Sequence, residues 1–232
     1  MALPKIETPK YTTAIPSTGA AVEYRPFLVK EEKILLLAQE SNDEKQVISA
    51  ITDIIDSCTF GKTTISKLTP YDVEYLFLQI RGKSVGETIA LQATCNCSEN
   101  PTTTDIEVNI DDIQVQYPDA KPEETIQITD TVGMKLRPIS FSSVASIDEN
   151  DINSVLSNII ESIYDAENVY PIEDVDQQEL YEFIDSLDRK TMGKVEDFIT
   201  NQPKLSHEIV YDCGTCGKTK THIVEGLTNF FT

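Results

Sequence analysis

The sequence predicts an α+β protein: N-terminal helices, then zinc-ribbon-like β-hairpins that the C-terminus closes around a helical insertion. Three observations lead to this prediction. Apolar residues recur at helical spacing in the N-terminal half. Alternating apolar and polar residues surround each of two cysteine pairs, as expected of strands. A second group of helical patterns, over residues 140–200, lies between the pairs.

The first 27 residues are predicted to form an extended N-terminal arm. Four prolines interrupt residues 1–27, and no helical period is present there. Apolar side chains recur along the arm, so it lies either along a partner or against its own domain. The remaining residues, 28–232, are predicted to form one interwoven α+β domain.

Helices are predicted on both sides of the first cysteine pair. Thr69 is a suitable N-cap and Pro70 a suitable first residue for a helix that continues to about Arg81, where Gly82 offers a stop. The first predicted helix, 29–41, is expected to bury Ile34, Leu35, Leu36 and Leu37. The other predicted helices are 43–57, 151–164, 177–187 and 190–200.

Two hairpins are predicted to present the cysteine pairs near their turns. The first lies near 87–110 and turns at Cys95–Pro101, and the second lies near 206–224 and turns at Cys213–Gly217. A further hairpin is predicted from 125–129 and 134–138, between the other two.

The cysteine pairs predict a structural zinc site with Cys95, Cys97, Cys213 and Cys216 as ligands. Four thiolates complete the tetrahedral shell of zinc and leave no open position for water, so such a site holds the fold and does no chemistry. Reduced unliganded thiols and an iron–sulfur cluster remain alternatives. The fifth cysteine, Cys58, follows a helical pattern and is predicted to be a buried core thiol.

The charge and composition exclude several function classes. Lysine and arginine number 19 against 39 acidic residues, and the net charge is −20, which repels nucleic acid and anionic membranes but favours solubility and basic partners. No apolar stretch is long enough to span a bilayer, and residues 1–20 lack a signal-peptide core. We therefore expect the chain in the cytoplasm, where thiols stay reduced and favour metal over disulfides.

Catalysis is not expected from this sequence. With two histidines and no cysteine beside an evident base, a nucleophilic triad is hard to assemble. Residues 61–63 read Gly-Lys-Thr, but the glycine that a phosphate-binding loop needs earlier is missing. The acidic runs are typical of solvated surfaces. The sequence therefore predicts a protein that is not an enzyme.

The N-terminal half resembles the T-even-type phage baseplate hub subunits and the related hub assembly proteins. The resemblance rests on Leu3–Pro9, on Ile15–Gly19 and on the segment Tyr24-Arg25-Pro26-Phe27-Leu28-Val29-Lys30-Glu31-Glu32-Lys33. It continues through Leu35–Glu40 and Leu68–Ile80, and the cysteine pairs resemble the ribbon-like cysteines of that family.

The resemblance implies a non-enzymatic role in the central hub of a contractile tail or in its assembly. Partners would be other baseplate hub or tail proteins, and the protein would occupy the host cytoplasm during assembly or the tail baseplate of the virion. The alternatives are a non-virion chaperone for the tape-measure protein and a zinc-ribbon regulatory protein. The acidic balance argues against the regulator.

A basic cluster in this acidic chain is the predicted partner-contact surface. It comprises the basic residues Arg25, Lys30 and Lys33 together with the aromatic Phe27. The alternative is that these cations pair with carboxylates of their own chain.

Overall fold

Helices and β-strands both occur along the chain, which confirms the prediction of a mixed fold. The first five residues of the predicted arm, and residues 98–101 at the predicted tip of the first hairpin, lie outside the described residues. The computed structural model describes residues 6–41, 43–97, 102–144, 146–148 and 150–226.

Seven α-helices and eleven β-strands are found among those residues. The helices are α1 (Val29–Glu40), α2 (Glu44–Cys58), α3 (Pro70–Ser84), α4 (Phe141–Val144), α5 (Ile152–Ile159), α6 (Gln177–Asp185) and α7 (Arg189–Thr200). The strands are β1 (Tyr11–Ala14), β2 (Ala21–Tyr24), β3 (Thr88–Cys95), β4 (Thr102–Asn109), β5 (Gln114–Gln116), β6 (Thr125–Gln127), β7 (Gly133–Leu136), β8 (Ile160–Tyr164), β9 (Val169–Pro171), β10 (Lys204–Asp212) and β11 (Thr219–Glu225). No described helix is both long and apolar enough to cross a membrane.

The chain divides into two compact units. The first comprises residues 1–65, 71–116 and 204–232, and the second comprises 66–70 and 117–203. The first unit therefore contains both cysteine hairpins, and the chain leaves it to build the second unit before it returns. That interleaving accords with an interwoven arrangement, while the single domain over 28–232 stays a prediction.

Three antiparallel sheets are found among the described residues of the first unit. Strands β1 and β2 pair with each other, β3 pairs with β4, and the third sheet has the order β11-β10-β5. One apolar cluster joins α3, the β3–β4 hairpin and the third sheet; its buried members are Tyr71, Leu78, Ile89, Leu91, Val108, Ile110, Ile113, Leu205, Ile209 and Val224. The cysteine hairpins are therefore attached to a shared core.

The described part of the second unit contains a four-stranded antiparallel sheet and helices. The strand order is β6-β7-β8-β9. Its core includes Ile126, Met134, Leu136, Leu156, Ile159, Ile160, Leu180, Ile184, Val195 and Phe198. Segment 140–200, predicted as helical, thus also supplies two strands of this sheet.

Residues 11–24 of the predicted arm form the β1–β2 hairpin, which packs within the first unit. Ile15 and Tyr24 are buried. The Ser17 amide donates to Oδ1 of Asp72 at 2.9 Å, and the Ser17 hydroxyl donates to Oδ2 at 2.7 Å. Since Asp72 lies in the first turn of α3 and is fully buried, this carboxylate fastens the hairpin turn to the helix.

Replacing Asp72 with alanine is expected to lower the free energy of unfolding by about 1–3 kcal/mol. The Ser17 amide and hydroxyl lose their acceptor, and a polar group without a partner is costly where water is excluded. Urea denaturation measures the change. The exposed Asp53 on α2 is the control, and its change to alanine should shift stability by less than about 0.5 kcal/mol. Equal effects of the two substitutions would contradict the role given to Asp72.

Helix α1 ends one residue before its predicted end, but its predicted burial was wrong. Leu35 is buried, whereas Ile34, Leu36 and Leu37 are exposed. An α-helix has 3.6 residues per turn, so four consecutive apolar side chains point in all directions and cannot share one core face. The buried face instead comprises Glu31, Leu35 and Ala38.

Helix α3 begins at Pro70 as predicted but continues past Gly82, so the predicted stop at this glycine was wrong. A Cβ at Gly82 would lie 3.4 Å from Cδ1 of Ile110. Gly82 therefore lies inside the helix, beside the Ile110 side chain, and does not end it.

The helix predicted over 151–164 ends at Ile159, and strand β8 begins at the next residue, Ile160. The Ile160 side chain is fully buried, and residues Ile160–Tyr164 pair with β7. β-Branched isoleucines fit a strand well, so pairing with a neighbouring strand overrides the helical spacing of this segment.

Gly133 on β7 is expected to be intolerant of alanine. An added Cβ would overlap the phenol of Tyr164 and approach the carbonyl oxygen of Ile126 to 2.9 Å. We expect Gly133→Ala to lower the free energy of unfolding by about 1–3 kcal/mol in a denaturation experiment. A Cβ added at Gly193 in α7 has no neighbouring atom within 4 Å. Gly193→Ala should therefore raise the free energy of unfolding by about 0.5–1 kcal/mol. If both substitutions changed the free energy of unfolding in the same direction, the close packing around Gly133 would be refuted.

Candidate metal centre and partner-contact residues

The cysteine-bearing turns are positioned by two regular hairpins. Strands β3 and β4 pair in register from Thr88 opposite Asn109 to Cys95 opposite Thr102. On β3 every second side chain from Ile89 to Cys95 is buried. The inward alternation of the strand thus continues directly into the first cysteine, which is why Cys95 points into the protein.

The second hairpin presents its cysteines in a tight turn. Strands β10 and β11 pair up to Asp212 opposite Thr219, and Cys213 follows at once. The Gly217 amide donates to the Cys213 carbonyl at 2.8 Å, and the Cys213 amide donates to the Lys218 carbonyl at 3.1 Å. Gly217 has a φ of 62°, which glycine adopts readily because it has no Cβ to clash with the backbone.

The two hairpins bring all four cysteines together. The sulfur atoms of Cys95, Cys97, Cys213 and Cys216 lie within 4.8 Å of one another. The Cys97 and Cys213 sulfurs are 3.8 Å apart. With zinc–sulfur bonds of about 2.3 Å, a regular tetrahedron separates its sulfurs by about 3.8 Å. The donor set and its spacing are therefore compatible with a metal ion held by four thiolates.

The electrostatics of the cluster favour binding of a cation. Backbone amides of Cys216 and Thr215 donate to the Cys213 sulfur and are the main cause that lowers the pKa of this thiol to about 6. Hydrogen bonding to Cys95, together with burial, raises the pKa of Cys97. Cys213 therefore ionises more readily than Cys97. A second thiolate beside it needs a compensating cation.

Within the described residues the cluster contains thiols only, and neither His207 nor His222 belongs to it. Cys58 lies elsewhere and is fully buried, and burial raises its pKa to about 11. The thiol predicted to be a core residue is indeed in the core. A four-thiol shell offers a metal no free position, so the arrangement suits structural support.

The predicted partner-contact residues differ in their surroundings. Arg25 is largely buried, and its Nη2 donates to Glu31 Oε1 at 2.9 Å. Phe27 is half-buried, and its amide donates to the Ser84 hydroxyl at 2.9 Å. Lys30 and Lys33 are exposed, and the Lys30 ammonium lies 3.2 Å from Glu31 Oε1. Contact of these four residues with a partner stays a prediction.

Sequence reasoning missed Glu31, the buried carboxylate that pairs with Arg25 and Lys30. Glu31 also accepts a hydrogen bond from the Leu28 amide at 2.7 Å and so caps the start of α1. Burial opposes its ionisation, but hydrogen bonds from Arg25 and Leu28 hold the pKa of Glu31 below its usual range. The signal in the sequence was a glutamate at the third helical position, where it can reach back to the helix start.

The family described as "T4 bacteriophage base plate protein" matches residues 8–232. The chain is also 26% identical over 212 residues to the baseplate hub assembly protein gp26 of Enterobacteria phage T4. That alignment covers 90% of this chain and 92% of the phage T4 protein. No solved structure matches. A match over nearly the whole chain shows membership, and this protein therefore belongs to the T4 bacteriophage base plate protein family.

Proposed function

We propose that this protein is a non-enzymatic component of the assembly of the central hub of a phage baseplate. The observation that carries the proposal is its nearly end-to-end similarity to a protein named for baseplate hub assembly. Because the alignment spans both chains almost completely, the similarity concerns the whole protein and not one module. The partners would be other proteins of the baseplate hub or tail.

The cysteine cluster would support this role as a structural zinc site. Cys95 and Cys97 belong to one hairpin, and Cys213 and Cys216 belong to another that follows the long excursion of the chain into its second unit. One zinc ion would tie the two hairpins together and fix where the chain returns. A protein with contacts to make on several neighbours benefits from such a rigid frame.

The proposed sites of action are the host cytoplasm during assembly and, if the protein stays bound, the baseplate of the virion tail. A chaperone for the tape-measure protein is the second candidate, because a free acidic protein suits a soluble carrier. The net charge of −20 supports the absence of nucleic-acid and membrane partners and disfavours a zinc-ribbon regulator.

The test is deletion of the encoding gene from its phage, with complementation by the wild-type chain. We expect infected cells without the protein to accumulate too few complete hubs, and the supplied chain to restore them. Normal hubs in its absence would refute the proposal. Quantitative mass spectrometry of purified virions then shows whether the protein stays in the virion as a subunit or is released as an assembly factor. If the deletion phage forms normal hubs but lacks the tape-measure protein in its tails, the chaperone role is favoured.

A further inference from the structure

Helix α1 carries an exposed apolar face that the core of its own unit does not use. We call the outward-facing residues Val29, Lys33, Leu36 and Leu37 the α1 outer face. Val29 and Leu37 are each 66% exposed, and Leu36 is 53% exposed. The opposite face buries Glu31, Leu35 and Ala38. Helices with apolar side chains on both faces are normally covered on both.

The spacing of the α1 outer face fits one partner helix. Its residues recur at intervals of four, three and one, which places them in a single stripe along the helix. A helix of 12 residues is about 18 Å long, so the stripe can serve as one seam of a helix–helix contact. A partner helix packed against this stripe would bury all of its aliphatic side chains from water.

The one charged residue in the stripe indicates which side chain the partner should place opposite it. Lys33 stands one helical turn from Val29 on one side and from Leu37 on the other, so a covering partner would surround its ammonium. Among the described residues, Lys33 takes part in no ion pair, whereas the neighbouring Lys30 is paired with Glu31. A buried ammonium needs a carboxylate beside it.

We infer that the α1 outer face binds an amphipathic helix of another hub protein, whose apolar stripe carries a carboxylate opposite Lys33. The inference rests on the proposed function and adds to it the surface and the kind of partner. A second copy of this chain is disfavoured, because each copy carries a net charge of −20 and the two would repel. A membrane is disfavoured by the same charge.

Site-specific photo-crosslinking of the full chain in infected cells tests the inference. A photo-crosslinking amino acid replaces Leu37, and in a matched control it replaces Val210, which is 64% exposed on β10. We expect position 37 to crosslink to a helical segment of a hub protein that contains Asp or Glu within its apolar stripe. The crosslinked peptides are mapped by mass spectrometry.

Charge reversal provides the second measurement. Lys33→Glu should reduce the yield of the position-37 crosslink by roughly tenfold or more, since two carboxylates would then face each other in the contact. Reversing the mapped carboxylate of the partner to lysine should restore the yield. Lys45→Glu, an exposed change on α2, should leave it unaltered.

A crosslink from position 37 to a second copy, to lipid or to nothing would overturn the inference, as would failure of the charge reversal to be rescued. These outcomes leave the proposed function standing if the deletion phage still lacks complete hubs. Normal hubs in the deletion phage would instead remove the proposed function and this inference together.

Discussion

Given the proposed zinc site, the variant Cys216→Ser is expected to bind less metal than the wild type and to lose much of its stability with it. A serine hydroxyl is a poor substitute for a thiolate, so three sulfurs would remain around an ion that prefers four. Metal binding contributes to the free energy of folding, with on the order of 10–16 kcal/mol measured for small zinc peptides. Because the first unit also has an apolar core, we expect a loss of several kcal/mol, below that limit.

Elemental analysis of the purified protein measures the metal, and chemical denaturation with and without chelator measures the stability. A chelator should destabilise the wild type and leave Cys216→Ser almost unchanged. Cys58→Ala is the matched control: it removes a buried thiol outside the cluster, so it should lower stability yet keep the metal. Full zinc stoichiometry in Cys216→Ser would refute the assignment of Cys216 as a zinc ligand. Iron in the wild type would instead favour an iron–sulfur cluster.

The variant Glu31→Ala is expected to lower the free energy of unfolding by about 3–5 kcal/mol. The Glu31 side chain is only 3% exposed, so solvent screens its ion pair with Arg25 very little. Its removal leaves a largely buried guanidinium without its carboxylate and the Leu28 amide without an acceptor. Urea denaturation measures the loss.

Glu32 is the matched control, because it is the next residue on the same helix but is exposed. Glu32→Ala should change stability by no more than about 0.5 kcal/mol. Comparable losses in the two variants would show that the effect comes from helix propensity or net charge and not from the buried pair.

The same carboxylate makes a specific contribution to pH dependence. The pKa of Glu31 is lower in the folded protein than the ordinary value, near 4.5, expected after unfolding. Its stabilising contribution is therefore fully present above that ordinary value and is lost as the pH falls through the lower folded pKa. In Glu31→Gln the decline in stability on acidification should be smaller than in the wild type. Parallel pH profiles would contradict this.

The strands and cysteines illustrate what local sequence determines. Alternation along β3 and β10 predicted both hairpins, because side chains in a strand point to opposite faces in turn, and the cysteines continue that pattern. Four thiols in two close pairs predicted a common cluster. The start of α3 followed from Thr69 and Pro70, whose effects act within a single helical turn.

Other features were decided by contacts that no local pattern contains. Helix α1 buries the face that contains Glu31 and Leu35, so the exposure of Leu36 and Leu37 followed from packing. Ile160 became a strand residue because β7 offered it partners.

The sequence by itself determined most of the helical segments, the two cysteine hairpins and the set of four paired thiols, because these depend on neighbours along the chain. Only the tertiary structure decided that Arg25 lies against Glu31, that Gly82 lies beside Ile110 within a continuous helix, and that α1 presents an apolar face outward. Each of these depends on residues that are brought together by folding of the whole unit, and burial free energy, not local propensity, selects among the possible orientations.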